Sequence, residues 1–250
     1  MDDRIKIIIL AAGKGTRMKN ELPKVLAPIR GKSMIKYLLE AVEKSGVDNK
    51  PVIVVGYEKE KVMKELGGGY DYVVEEEQLG TGHAVMVAQK ILEKNADNVV
   101  VLYGDHPFIK PETIKKLVET HIGSDKKITM GVVKVQDFKD WRAFFYTDSR
   151  IIRNKNGDIV KDVQFRDAND EERKIKEINP CYFCFEASWL WKKLKTLNTD
   201  NDQKQYYLTD LVKIAIEEKT AIGSIEIEPY EALGADSKEE IEMLERLVVQ

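Results

Sequence analysis

The sequence predicts an α/β protein whose mostly parallel sheet is covered by helices on both faces, and three observations carry that expectation. Apolar, strand-like runs alternate with helical patterns from residue 5 to residue 135. One run, 99–103, is apolar without interruption, as a central strand buried on both faces must be. Two of the runs stop abruptly in small or acidic residues, at Ala11-Ala12-Gly13 and at Gly104-Asp105. Such residues lie at the carboxyl edge of the sheet, where open α/β folds bind ligands.

Taken in order, residues 5–10 read as the first strand. A helix is expected from Ser33, which can cap it, to Lys44, with Met34, Ile35, Leu38, Leu39 and Val42 at helical spacing and Gly46 as the stop. A strand at 51–55 precedes a charged helix at 58–66, and Gly67-Gly68-Gly69 breaks it. A strand at 72–75, a helix at 83–94, the central strand, a helix opened by Pro111 and running to 121, and a strand at 128–135 follow. Beyond 136 the texture changes. Residues 137–153 hold aromatics without a period. Asn156-Gly157 reads as a hairpin turn between 151–152 and 159–163. A charged, exposed stretch at 171–176, a strand at 179–185, helices at 187–197 and 208–218, a strand at 222–227 and a terminal helix capped by Asp236 or Ser237 and ending near 248 complete the chain. No Pro/Ser-rich linker and no internal repeat interrupts it, so one domain with a second-half elaboration is expected.

The 250 residues carry a net charge of −3, 43% hydrophobic and 33% charged residues. Such a balance supplies no global basic field, so a nucleic-acid partner is not expected. Neither a signal peptide nor a membrane span is legible, and a cytoplasmic location is the expectation. Cys181 and Cys184 form a C-x-x-C, but a zinc site needs four ligands and no other cysteine exists. His83, His106 and His121 are too scattered for a metal cluster, and no Ser/His/Asp order stands out. The chemistry expected is therefore electrostatic rather than nucleophilic.

Four stretches suit that chemistry. In the first, Gly13 and Gly15 bracket Lys14 and are followed by Thr16, Arg17 and, further on, Lys24. Small residues let backbone N–H groups approach a ligand, and three cations suit a multiply charged anion. The spacing is neither a Walker A loop nor a dinucleotide fingerprint, and an ordinary strand-to-helix turn has the same composition. In the second, Asp105 follows the central strand directly, where a carboxylate can hold Mg²⁺ on a phosphate, or can simply cap a turn. The third, Gln78 to His83, opens a helix and offers backbone N–H groups to a base or sugar. The fourth, Tyr206-Tyr207-Leu208-Thr209-Asp210, suits a substrate wall or a plain helix start.

Placed in order, these stretches carry a resemblance. Leu10-Ala11-Ala12-Gly13-Lys14-Gly15-Thr16-Arg17-Met18, Leu22-Pro23-Lys24-Val25-Leu26, Glu77-Gln78-Leu79-Gly80-Thr81-Gly82-His83-Ala84-Val85, Leu102-Tyr103-Gly104-Asp105, Lys176-Glu177-Ile178-Asn179 and Tyr206-Tyr207-Leu208-Thr209-Asp210 resemble the sugar-1-phosphate nucleotidyltransferases. The match is to the bacterial N-acetylglucosamine-1-phosphate uridylyltransferase domains among them. The resemblance covers nearly the whole chain. It implies a Rossmann-like three-layer αβα fold with a mixed, mostly parallel sheet, the nucleotide-diphospho-sugar transferase fold. It divides the chain into a nucleotide-binding half to about 136, a sugar-binding half to about 230 and a terminal helix at about 236–249. It implies transfer of a nucleotidyl group from UTP to N-acetylglucosamine 1-phosphate with release of pyrophosphate and with Mg²⁺ as cofactor. Bifunctional members continue into hexapeptide repeats. None is present here, so no acetyltransferase activity is expected.

The same resemblance implies roles residue by residue. Arg17 would stabilise the leaving pyrophosphate, Lys24 would bridge the α-phosphate and the sugar phosphate, and Asp105 would hold the metal with Asp236. The nucleotide would lie against Leu10, Ala11, Ala12, Gly13, Lys14, Gly15, Thr16, Glu75, Gln78, Gly80, Thr81, Tyr103 and Gly104. The sugar would lie against Ser149, Gln164, Asn179, Tyr207 and Thr209. Several positions depart from the family pattern. Glu75 stands where a base-contacting Gln is usual, Ser149 for a Gly, Gln164 for a Glu, Arg166 for a Lys, Asn179-Pro180-Cys181 for Asn-Thr-Gly and Asp236 for an Asn. An ionised Glu accepts but does not donate, so Glu75 suits the amino group of cytosine better than uracil O4. Two alternatives therefore stand beside the default: the same chemistry with CTP or another nucleotide and a different sugar phosphate or phosphorylated small molecule, and a non-catalytic nucleotide-sugar sensor. The oligomeric state is open.

Overall fold

Alternation along the first strand sets up two cores at once. A computed structural model of the chain describes residues 4–15, 22–201 and 203–247. In β1 (Ile5–Ala11), Ile7, Ile9 and Ala11 face one core while Ile8 and Leu10 face the other. A two-stranded ribbon, β2 (Pro28–Ile29) and β3 (Lys32–Ser33), leads into α1 (Met34–Ser45). Then come β4 (Val52–Val55), α2 (Lys59–Leu66), β5 (Asp71–Val74), α3 (Thr81–Leu92), β6 (Asn98–Tyr103), α4 (Pro111–Ile122) and β7 (Ile128–Lys134). The second half adds the hairpin β8 (Arg150–Arg153) and β9 (Ile159–Val163), the short α5 (Asp170–Arg173), β10 (Glu177–Ile178), β11 (Phe183–Glu186), α6 (Ala187–Leu194), α7 (Asp210–Glu217), β12 (Ile222–Ile227) and α8 (Lys238–Leu247).

One ten-stranded sheet results. Its parallel part runs β5-β4-β1-β6, and β11 then enters antiparallel between β6 and β7, while β12 lies parallel on the far side of β7. Buried residues of α1, α4 and α8 fill one face, and those of α3, α6 and α7 fill the other. This is the three-layer, mostly parallel arrangement expected. Among the described residues no helix is long and apolar enough to cross a membrane.

The topology creates the site. From β1 the chain steps one way to β4 and β5, then returns to place β6 on the other side of β1. The loops after β1 and β6 therefore part at a switch in strand order, which leaves a crevice at the carboxyl edge. The Gly104 N–H donates to Leu10 O at 2.9 Å and ties the two loops together. A Cβ on Gly104 would stand 2.9 Å from that same oxygen and 3.0 Å from Val25 Cγ1, so glycine is what lets them close.

Several local expectations are corrected. Ser33 holds the N-cap position of α1 but makes no side-chain cap, and its hydroxyl is buried without a partner. The α3 helix begins at Thr81, two residues before the expected start, because Gly80 takes φ +113° and its carbonyl receives the first helical N–H from Ala84. Both α6 and α7 are shorter than their apolar patterns. The single strand expected at 179–185 is broken. Cys181 adopts φ +65°, so β10 and β11 flank a bulge and Cys181 leaves the sheet, whereas Cys184 stays buried in it. The charged stretch at 171–176 contains α5, with a capping box between Asn169 and Glu172. The terminal helix starts at Lys238, where Ser237 Oγ accepts from Glu240 N–H at 3.2 Å and Glu240 Oε2 accepts from Ser237 N–H at 3.1 Å.

The aperiodic aromatic segment also acquires a structure, a 3-10 helical run at Asp140–Thr147. What organises it is Arg150, wholly buried at the start of β8. Its guanidinium donates to the carbonyls of Tyr146 (2.7 Å), Asp148 and Phe145, and lies between the Phe138 and Phe165 rings, 4.7 and 5.3 Å from their centroids. A buried arginine is tolerable when its donors are used up in this way. No periodicity signal reports such a device.

Candidate active site

Lys24 stands at the centre of the crevice. It sits on a 3-10 turn anchored by buried Val25 and Leu26, and its ammonium ion-pairs with both Asp105 Oδ2 and Asp236 Oδ1. Asp105 arrives from the end of β6 and Asp236 from the turn before α8, so carboxylates from distant parts of the chain share one cation, and Lys24 lies 212 positions from Asp236. Burial opposes the charge on Lys24, but the two carboxylates outweigh it and hold the ammonium above its ordinary value. Burial likewise pushes Asp105 up, and Lys24 and His106 more than offset it, so its carboxyl lies below the usual range. His106 is pushed down by burial despite Asp105, and its Nδ1 meets the Tyr182 hydroxyl at 3.1 Å.

These groups line a cavity of about 220 Å³ together with Tyr103, Asn179, Cys181 and Asp148. Asp148 sits at the end of the aromatic 3-10 run. Burial, offset only in part by Arg150, pushes its carboxyl up to about 7. The Cys181 thiol is pushed up by burial and then by the fields of Asp162 and Asp148.

The expected residues gather in three groups. Ala11 and Ala12 are buried, Ala12 O accepts from Tyr57 N–H at 3.1 Å, and Gly13 and Lys14 stand exposed at the mouth. Gly15 turns at φ +62° against the Lys24 side chain. Thr16 and Arg17 lie outside the described residues. The second group is the loop from Glu75 to Thr81. Gln78 Nε2 donates to Glu75 O at 2.8 Å, Gly82 N–H donates to Tyr206 O at 2.8 Å and Tyr206 N–H to Leu79 O at 2.8 Å. A Cβ on Gly80 would stand 2.6 Å from Tyr206 O. Thr81 Oγ1 accepts from Leu208 N–H at 2.9 Å, so this loop is clamped to the segment before α7. Glu75 is buried and meets His83 Nδ1 at 2.7 Å; burial raises its carboxyl and His83 offsets part of the rise. Its carboxylate is thus engaged by the first turn of α3.

The third group divides. Asn179 Nδ2 donates to Asp162 Oδ2 at 2.7 Å, and the Ser149 hydroxyl bonds the same carboxylate. Gln164, Tyr207 and Thr209 instead line a second hollow of about 770 Å³ between β9 and α7, with Asp162 in its wall. Asp162 and Asp148 were not singled out from the sequence. The available signals were an acidic residue within the β9 pattern and one directly before Ser149.

The two carboxylates around Lys24 also suit a divalent metal. Among the described residues no third His, Cys, Asp or Glu joins them. Two oxygen ligands match the way Mg²⁺ is held, by one or two carboxylates with the remaining positions left to water and substrate phosphates.

Known proteins resemble this chain in sequence and in fold. The bifunctional protein GlmU of Clostridioides difficile (strain 630) is 39% identical over 244 residues, covering 97% of this chain and 51% of that protein. GlmU of Streptococcus sanguinis (strain SK36) is 40% identical over 233 residues, covering 92% and 49%. The chain spans about half the length of the curated relatives it matches. Two solved structures share the fold. CMP:2-keto-3-deoxy-manno-octonic acid synthetase complexed with CTP has a TM-score of 0.71 at 16% identity, covering 99% of both chains. A putative glucose-1-phosphate thymidylyltransferase from Bacillus anthracis, in complex with a sucrose, has a TM-score of 0.76 at 18% identity, covering 97% and 94%. The family model of the MobA-like NTP transferase domain matches residues 7–213, a span that takes in the loop after β1, the Glu75–Thr81 loop and Asp105, and this chain belongs to that family.

Proposed function

We propose that the protein transfers a nucleotidyl group from a nucleoside triphosphate to a sugar 1-phosphate, releasing pyrophosphate and forming a nucleotide sugar, with Mg²⁺ held by Asp105 and Asp236. The observation that carries this reading is the Lys24 ammonium shared between Asp105 and Asp236 at the strand-order switch. Nucleotidyl transfer needs little covalent help from the protein and relies on positioning and charge stabilisation. The Gly13–Gly15 backbone and Lys14 receive the phosphates, and Arg17 meets the departing pyrophosphate. Lys24, released from the carboxylates, neutralises the α-phosphate and the attacking phosphate oxygen. The Gln78–Thr81 loop, clamped to the segment before α7, holds the base. Mg²⁺, when bound, supplies charge neutralisation on the triphosphate. UTP and N-acetylglucosamine 1-phosphate are the pair the resemblance gives by default, and the departures at Glu75, Ser149 and Gln164 make a different nucleotide, sugar phosphate or phosphorylated small molecule the alternative.

A pyrophosphate-release assay with UTP, CTP, GTP and dTTP against several sugar 1-phosphates tests this. Release with at least one pair is expected. Nucleotide-sugar binding without release from any pair would favour a sensor instead. Because Glu75 is committed to His83, Glu75→Gln is expected to leave the nucleotide ranking unchanged and to lower the melting temperature, since a neutral amide oxygen replaces the carboxylate that meets His83. A ranking that moves toward UTP would restore Glu75 as the base reader.

A further inference from the structure

The acceptor side of the cavity carries more negative charge than the proposed chemistry uses. Asp105 and Asp236 share Lys24 and are assigned to the metal. Glu240 gives an oxygen to the N–H groups of Asp236 and Ser237 at the start of α8. Asp148 has no such use. It lines the same cavity, and among the described residues its carboxylate accepts no hydrogen bond and makes no ion pair. The neighbouring cation, Arg150, spends its guanidinium on backbone carbonyls and two aromatic rings. Nor can Asp148 swing away: Trp141 packs edge-on to Phe145, Phe138 to Tyr146, and Tyr146 against Phe165, which fixes the run that carries it. Behind it Asp162 adds a second carboxylate, whose Oδ1 is out of solvent and without a partner. Cys181 lines the same cavity, and burial, then the fields of Asp162 and Asp148, push its thiol up.

A phosphate monoester entering this cavity meets a carboxyl group that, among the described residues, has only the partly offsetting field of Arg150. Burying that charge beside a second anion is costly unless a positive group comes with it. Phe144 and Phe145 also line this cavity, and aromatic rings favour a cation over an anion beside them. We propose that the acceptor of this reaction is a phosphate monoester that carries an ammonium group, and that Asp148 is the specificity residue that receives it. The inference rests on the nucleotidyl-transfer reading above. Two sources share this chemistry, an amino-sugar 1-phosphate and a phosphorylated amino alcohol.

The test measures kcat and KM for pyrophosphate release, with the preferred nucleotide, for four acceptors. Glucosamine 1-phosphate and O-phosphoethanolamine are cationic, and separate the two sources. N-acetylglucosamine 1-phosphate and glucose 1-phosphate are the neutral controls. At least one cationic acceptor is expected to exceed both neutral ones tenfold or more in kcat/KM. Asp148→Asn is expected to erase the preference through the KM of the cationic acceptor, and Asp148→Glu to retain it. The wild-type ranking needs no variant to fold. A wild-type preference for the neutral acceptors overturns the inference while the transfer reaction stands, and so does an equal loss for cationic and neutral acceptors in Asp148→Asn. No release with any acceptor and any nucleotide overturns the transfer reaction, and the inference falls with it.

Discussion

Lys24→Met is expected to slow turnover by about 10²–10³-fold and, at the same time, to tighten divalent-metal binding to the nucleotide-free protein. The two effects have one cause. The ammonium lies between Asp105 and Asp236, where the metal's carboxylate ligands are proposed to be. A metal entering the free protein must displace it. Once a triphosphate is bound, Lys24 gains phosphate oxygens as partners and the displacement costs less. Removing the ammonium takes away the cation that the two carboxylates share, which disfavours the doubly ionised pair and favours a hard cation in its place. Mn²⁺ titration followed by electron paramagnetic resonance, in the absence of nucleotide, reads the affinity directly, and a tenfold gain is expected. The melting temperature of the variant should then rise more steeply with added Mg²⁺ than that of the wild type, because a ligand stabilises in proportion to the logarithm of its concentration over Kd. Unchanged metal affinity would show that Lys24 does not occupy the metal's place.

Asp105→Asn and Asp236→Asn are expected to differ sharply, although each removes one charge from the same pair. The Asp105 side chain is 16% exposed and is fixed by the end of β6 and by the Gly104–Leu10 hydrogen bond. Asp236 is 34% exposed and lies on the turn that caps α8. A ligand held by a strand end cannot be replaced by a shift of the chain, whereas one on a turn leaves room for water or a phosphate oxygen to substitute. Asp105→Asn should lose on the order of 10³-fold in kcat/KM, a loss of charge stabilisation at the reacting centre. Asp236→Asn should lower metal affinity by about 10–100-fold and recover turnover as Mg²⁺ is raised. Mg²⁺ titrations of initial rate distinguish the two. Equal rescue of both variants by metal would contradict the assignment of Asp105 as the fixed ligand.

Much of this site is legible in the linear order of residues. The loop at Ala11-Ala12-Gly13, the Gly80-Thr81 turn and Asp105 each follow an apolar run or open a helical pattern, so local periodicity already places them at the carboxyl edge of a parallel sheet. The layered fold follows for the same reason. Strands apolar on both faces, such as 99–103, can be buried only between two helical layers. The family pattern added Asp236 to the list and gave Lys24 its role, though not their contact.

What only the tertiary structure decided lies between elements distant in sequence. Lys24, Asp105 and Asp236 meet because β6 ends beside the turn before α8, and no local pattern encodes that distance. Cys181 leaves the sheet because its backbone takes a left-handed turn between two short pairings with β7, where the apolar pattern at 179–185 predicts one strand. The 137–149 segment has no period because its order comes from a buried arginine bonding carbonyls, and carbonyls are the same in every residue. For that reason Asp148 is an ordinary turn residue in the sequence and, among the described residues, a carboxyl group without an ion-pair partner in the fold. The reaction class was therefore visible in the loops that follow the strands, while the character of the acceptor depends on which charges the folded chain leaves without a partner.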